Sequence, residues 1–382
     1  MSVLSSQMTP RERILAALRR QDVDYAPCMP VFGSPMPAAG LAWRSEDERL
    51  DALLNRLGVD AFVYAGIAPD RHPGVTARTW TEASADGRYT LLHKVFETPA
   101  GPLSCTVRRT EDWPHGDDVP IRSDFLISRI VKPWIQEEAD VDRLEYVYQP
   151  PQRTHAQVAA EFAPVRARAE RWQVPIYSIA GSGLYANLSF LGTEQAVLYS
   201  VDRPGIVERL ADLEHRVTLA RLDILGRAGV HFVRRSGHYE TTDFCSPAQI
   251  RRYTLPRFGR EIGLAHQLGM PMVLAACTGL MPILDILQEL PFDCLYDFEP
   301  VLGGQDMGRL WTALGSAKSI WGGISAPVHL ETGTPEAVRE AVRGFYRICG
   351  RRGTILAPVC SVTPETPPAN LQAMVAEWRE QR

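Results

Sequence analysis

Several things are missing from this 382-residue chain, and each absence narrows what it can do. No apolar run approaches the roughly 20 residues that a membrane-spanning helix needs. The N-terminus lacks the charged-then-apolar pattern of a secretory signal, so a cytoplasmic location is the expectation. Excess charge of one sign is also missing. With 41 basic and 45 acidic residues the formal net charge is −4, which gives no footing for nucleic acid or a membrane surface. Seven cysteines, an odd number without tight spacing, make no disulfide framework, and each is expected as a free thiol. No Gly/Ser linker, low-complexity tract or internal repeat divides the chain, which predicts one domain over residues 1–382.

What is present alternates. The opening "MTPRERILAAL" signals a helix: Thr9 suits the N-cap, Pro10 the first helical position, and Glu12 completes a capping box. Eight short apolar runs follow, at 27–32, 59–66, 175–181, 229–237, 272–279, 293–300, 319–324 and 353–360. Amphipathic segments such as 247–268, 280–290 and 334–349 lie between the later ones. Such alternation predicts βα units with right-handed crossovers, and eight of them predict an α/β chain folded as a (β/α)8 TIM barrel. Residues 67–150 break the rhythm. There "RYTLLHKVFETPAGPLSCTVRRTED" reads as a β-hairpin turning at 99–102, an insertion after the second strand that caps the barrel.

In a barrel the chemistry lies at the C-terminal strand ends. That rule selects His238, Tyr239 and Glu240 after the fourth run, Cys277 after the fifth, Asp297 and Glu299 after the sixth, and Cys360 after the eighth. Thiols, an imidazole and a carboxylate at one mouth make a plausible zinc ligand set of Cys277, Cys360 and His238 or Glu240. The plainer alternatives are open at this point. Both thiols suit a packed core, as Cys28, Cys105, Cys294 and Cys349 do. His238 equally suits a hydrogen bond to substrate, and Glu240 an ion pair with Arg234 or Arg235. His238, Glu240 and Asp297 are also the candidates for proton transfer.

Several stretches carry a resemblance: "MTPRERILAAL", "ETPAGPL", "FCSPAQIRRYTLPRF", "GMPMVLAACTG" followed by "MPILDIL", "IWGGI" and "ILAPVCSVTPETPPANLQAM". In order and over nearly the whole chain, these resemble the uroporphyrinogen decarboxylase superfamily of (β/α)8 barrels. That superfamily implies either a decarboxylase or a zinc-dependent methyltransferase working between a corrinoid protein and a thiol. The decarboxylase branch implies an arginine-rich "RQAGR" loop after the first strand and an "SDI" aspartate after the second. Here "VFGSPMPAAGLAW" has no basic residue before Arg44, and "VYAGIAPD" lacks that "SDI" motif, so decarboxylation of uroporphyrinogen is not expected.

The methyltransferase branch implies His-x-Cys after the fifth strand and a Cys after the eighth. Cys277 and Cys360 match, but Ala275 stands at the His position, so His238 or Glu240 must substitute. The resemblance therefore implies a zinc-dependent methyl or small-alkyl transferase on a small-molecule substrate. Tyr64, Tyr177, Tyr185, Tyr239 and Trp321 would line its pocket, or pack the core. No corrinoid-binding "DxHxxG" pattern occurs, so cobalamin would arrive free or on a separate corrinoid protein. Two alternatives remain: a metal-free lyase, decarboxylase or folate-type methyltransferase, and a non-catalytic tetrapyrrole or corrinoid binder.

Overall fold

Apolar runs too short to be helices fold here as strands buried on both faces. The structure, a computed structural model, describes residues 7–32 and 39–382. In chain order the strands are β1 (Val63–Tyr64), β2 (Thr76–Ala83), β3 (Thr90–Thr98), β4 (Gly101–Arg109), β5 (Ile130–Lys132), β6 (Ile176–Gly181), β7 (Phe232–Ser236), β8 (Met272–Ala275), β9 (Cys294–Tyr296), β10 (Ser319–Ile324) and β11 (Thr354–Pro358). Seven of them form a curled parallel sheet in the order β1-β6-β7-β8-β9-β10-β11. Residues of β8 to β11 are buried throughout, which is why they read as continuous apolar runs rather than as alternation.

Where an eighth strand was expected, at 27–32, there are only two isolated parallel bridges, Cys28 to Leu356 and Phe32 to Val362. Pro27 and Pro30 have no N–H, so this segment cannot sustain a ladder. It is held instead from both sides. Met29 N–H donates to the Leu356 carbonyl (2.9 Å) and Asp60 N–H to the Cys28 carbonyl (2.8 Å). Residues 33–38, within the loop that lacks a basic residue, lie outside the described residues.

The concave side of the sheet is filled by Phe62, Tyr177, Phe232, Val273, Tyr296, Trp321 and Ile355, with Ile14, Ala17 and Leu18 of the first helix packed on them. That helix (Pro10–Leu18) begins with a Thr9–Glu12 capping box. Arg13 ties it to the start of β1 through buried Asp60 (2.6 Å), and Ser319 Oγ at the start of β10 donates to the Leu18 carbonyl (3.2 Å). The helix therefore closes the N-terminal ends of the strands, and the opposite ends are left for chemistry.

The insertion is larger than a hairpin. β2 to β5 form a four-stranded antiparallel sheet, with β3 and β4 joined at Thr98 and Gly101. Strand β2 is exposed along its whole length and offers no apolar face to read from sequence. The insertion packs a second core, in which Phe96, Leu103 and Cys105 meet Trp134 and Leu144, and through them Phe190 and Leu213. Among the described residues, no helix is long and apolar enough to cross a membrane.

Candidate metal centre

Four residues just beyond strand ends converge at the C-terminal rim. His238 lies two residues past β7, Cys277 two past β8, Asp297 directly after β9 and Cys360 two past β11. The Cys277 and Cys360 sulfurs are 3.9 Å apart. His238, Cys277 and Asp297 each offer a ligand atom, and these atoms lie within 4.8 Å of one another. Two thiolates on one tetrahedral zinc, at Zn–S of about 2.3 Å, stand about 3.8 Å apart, so the sulfur pair already has the separation such an ion requires.

The backbone here is held in unusual conformations. Asp297 (φ +70°) and Cys360 (φ +62°) occupy the left-handed region that non-glycine residues seldom adopt. Three hydrogen bonds hold them. Cys360 N–H donates to Asp297 Oδ1 (2.6 Å), Tyr296 O–H donates to the Cys360 carbonyl (2.7 Å), and Glu299 N–H donates to the Cys277 carbonyl (3.0 Å). Strained backbone over-determined by its surroundings is characteristic of functional sites. Asp297 Oδ2 meets His238 Nε2 at 3.0 Å, so one buried carboxylate positions both the imidazole and the Cys360 backbone. The contact with Cys360, then burial, then the Asp297 charge push the Cys277 thiol well above its ordinary pKa. A cation bound there would reverse that balance, so soft sulfur donors next to an imidazole and a carboxylate fit zinc.

The turn carrying His238 is fixed from below. Glu240 N–H donates to the Gly237 carbonyl (2.9 Å), placing His238 and Tyr239 at the corner. Thr242 Oγ1 donates to the Gly279 carbonyl (2.8 Å), tying this turn to the loop after Cys277. Glu240 itself is not among the converging donors. Its carboxylate forks with Arg235 (2.7 Å to each oxygen) and also accepts from Leu184 N–H (3.1 Å) and Thr254 Oγ1 (2.8 Å). Arg235 continues the network to Glu261, and Glu261 meets His215 at 2.8 Å. Packing around this fork is so close that a Cβ on Gly183 would lie 1.9 Å from Arg235 Nη2. Glu240→Ala is therefore expected to cost about 3–5 kcal/mol in denaturant unfolding, because it breaks a buried ion pair, and to leave metal content per folded chain unchanged.

The five aromatic candidates occupy different levels. Tyr185 and Tyr239 stack at 5.1 Å on the rim, and Tyr239 O–H donates to Asp124 Oδ1 (3.0 Å) of the insertion. Burial first, then Asp124 and the charges of Cys277 and Cys360, raise the Tyr239 phenol pKa. Tyr64 is half exposed across the rim and rests edge-on against Tyr177 at 5.9 Å. Trp321 lies beneath the site, fully buried, with its Nε1–H donating to the Met29 carbonyl (3.0 Å). Two contributors escaped the reading of the sequence. Tyr296 and Arg234 face inward, as strand alternation from the core residues Cys294 and Phe232 would have indicated.

A curled parallel sheet that gathers thiols, an imidazole and a carboxylate at its C-terminal rim defines an α/β protein of the barrel-related class, built around a site at the strand ends. Residues 116–381 match the family described as "Uroporphyrinogen decarboxylase (URO-D)", and the chain belongs to that family. It is 22% identical over 179 residues to "Methylcobamide:CoM methyltransferase MtaA" of Methanosarcina barkeri, a match covering 47% of this chain and 50% of that protein. The match thus spans about half the length of this curated relative. Among solved structures, a "methyltransferase from Methanosarcina mazei" superposes with a TM-score of 0.60 at 18% identity, covering 98% of this chain and 99% of that one. A B12-independent methionine synthase from Shewanella sp. W3-18-1 gives a TM-score of 0.50 at 13% identity, covering 93% of this chain and 97% of that one. These structural likenesses establish the fold.

Proposed function

We propose that the protein is a zinc-dependent methyl or small-alkyl transferase, passing the group from a corrinoid to a thiol or similar acceptor, and not a decarboxylase of uroporphyrinogen. The observation that carries this reading is the Cys277–Cys360 sulfur pair at 3.9 Å beside His238 and Asp297. Cys277, Cys360 and His238 would hold the metal. Asp297 engages His238 Nε2, which leaves the ring's other nitrogen as donor, the arrangement in which a carboxylate orients a ligating histidine. Three protein ligands leave a fourth position for substrate.

Bound there, zinc would supply the Lewis acidity that keeps an acceptor thiol as its thiolate near neutral pH. The chain's own residues do the rest. The stacked Tyr185 and Tyr239, with Tyr64, would line the pocket for the organic group, and Asp297, bonded to His238 Nε2, would keep the imidazole aimed. The acceptor sulfur forms the bond to the methyl carbon. The corrinoid donor would supply the methyl group and keep the electron pair of the bond it gives up, and the thiol proton would pass to solvent. The match to a methylcobamide-dependent relative supports a corrinoid donor, which would be supplied free or by a separate protein.

The test is elemental analysis of protein purified without added zinc, together with the visible spectrum of methylcobalamin incubated with a thiol. About one zinc per chain and thiol-dependent loss of the methylcobalamin spectrum are expected. Zinc far below that ratio, with the spectrum unchanged, would sink the reading.

A further inference from the structure

The two edges of the insertion sheet are built differently. At one edge β5 has three residues, a shift of register against β4 and a closing lysine, Lys132, all of which discourage a further strand. At the other edge β2 has eight residues, paired with β3 in one unbroken register from Thr76 opposite Glu97 to Ala83 opposite Thr90. It holds no proline or glycine, and every residue is exposed. Among the described residues, no strand pairs with its outer side. A long, regular edge of this kind is a template for another strand.

The residues of that edge say which strand it fits. Residues 77–83 read "ARTWTEA", the same from either end except that Arg78 and Glu82 exchange places. Antiparallel pairing of two copies about Trp80 therefore sets Arg78 of one against Glu82 of the other, twice. Trp80 meets its own copy on the axis, Thr79 meets Thr81 and Ala77 meets Ala83, so no like-charged pair arises. Trp80 lies near the middle of β2, so this register uses almost the whole strand.

The backbone agrees. Ser84 N–H donates to the Tyr89 carbonyl (2.8 Å), one pair beyond the β2–β3 register, so the even-numbered residues of β2 bond toward β3. By alternation the N–H and C=O groups of Ala77, Thr79, Thr81 and Ala83 point to the open edge. These are the residues that meet across the seam, where they form about eight hydrogen bonds. The even-numbered residues then fall at non-hydrogen-bonded pairs, where opposite side chains come closest. They are also held in advance. Trp80 is stacked on His93 (5.0 Å), Arg78 lies over the Trp80 ring (4.8 Å), and Glu82 is 3.1 Å from His93. Ordering them on association costs correspondingly little.

We infer that β2 is the seam of a twofold homodimer, in which the four-stranded insertion sheets of two copies join edge to edge. The inference is independent of the alkyl-transfer reading, since no residue of the seam belongs to the metal centre.

Sedimentation equilibrium of the full chain tests it. The wild type is expected to be a dimer at concentrations up to about 100 µM. Arg78→Glu and Glu82→Arg each set like charges opposite one another at two points, and each should raise the dimer Kd by about tenfold or more. The doubly exchanged chain, Arg78→Glu with Glu82→Arg, restores both pairs and should dimerise again. Mixing the two single variants should give a heterodimer, because the acidic pair of one then faces the basic pair of the other. Such rescue needs folded chains, so it separates a broken seam from a misfolded protein. Thr79→Pro removes an outward N–H from each copy without touching the β3 ladder, and should also weaken the dimer. A wild type that stays monomeric would leave the edge to a strand of another protein and overturn the inference. So would a dimer that the single charge variants leave intact, or a failure of both the double exchange and the mixture to restore one.

Discussion

Cys277→Ser and Cys360→Ser are each expected to release zinc and abolish alkyl transfer while the protein stays folded. The volume change is small, so a thiol that merely packs tolerates serine at a cost of about 1 kcal/mol or somewhat more. A ligand does not, because a serine hydroxyl is a harder and far less acidic donor than a thiol. Losing even the partner that orients a zinc ligand costs about 10–100-fold in affinity, so losing the ligand itself should exceed about a hundredfold. Cys105 is the control. It is fully buried in the insertion core beside Leu103 and Val107, far from the sulfur pair in the fold, and Cys105→Ser should lower Tm without touching zinc. Zinc content and thermal unfolding on the three variants decide the matter. If both rim variants kept their zinc, Cys277 and Cys360 would be free thiols at the rim and not ligands.

Asp297 should show the second large effect, and two substitutions separate its two tasks. Asparagine tolerates the left-handed backbone at φ +70°, so Asp297→Asn should fold normally. Its single carbonyl oxygen cannot serve both the His238 ring and the Cys360 N–H, which now take one carboxylate oxygen each. A loss of about 10–100-fold in zinc affinity or turnover is expected. Asp297→Ala should add a stability loss of about 2–4 kcal/mol, from strain at positive φ and an orphaned backbone N–H. Denaturant unfolding and metal titration of the pair measure both. An asparagine variant with unchanged metal affinity and turnover would reduce Asp297 to a brace for the loop.

How much of this was legible in the sequence follows from burial. Strands β8 to β11 stood out because both faces are covered, which leaves unbroken apolar runs. Strand β2 did not, since every residue of "TARTWTEA" is exposed, and the side chains that meet β3, Trp80 stacked on His93 (5.0 Å) and Glu82 paired with it (3.1 Å), form no apolar face. The run at 27–32 looked like a strand because its residues are apolar, yet Pro27 and Pro30 withhold the donors a ladder needs. The two cysteines were found through the strand-end rule, because 83 residues of separation make no local motif. Glu240 had two arginines within reach in sequence, and only the side each faces on β7 shows that Arg235 takes it, while Arg234 lies between the Tyr177 and Tyr296 rings. The left-handed turns at Asp297 and Cys360 had no signal, as neither is glycine.

The pairing of Ser236 with Ala275 in the β7–β8 ladder has a consequence for how such sites are recognised. Two residues beyond that pair, His238 and Cys277 emerge from neighbouring strands with their ligand atoms within 4.8 Å of each other. On the metal reading, His238, two residues past that pair on the neighbouring strand, would take the part the resemblance gives to an imidazole at position 275. A donor would then have changed its address along the chain while keeping its neighbour Cys277. A search string that demands histidine two residues before the cysteine passes over this chain, whereas a search by neighbouring rungs finds it.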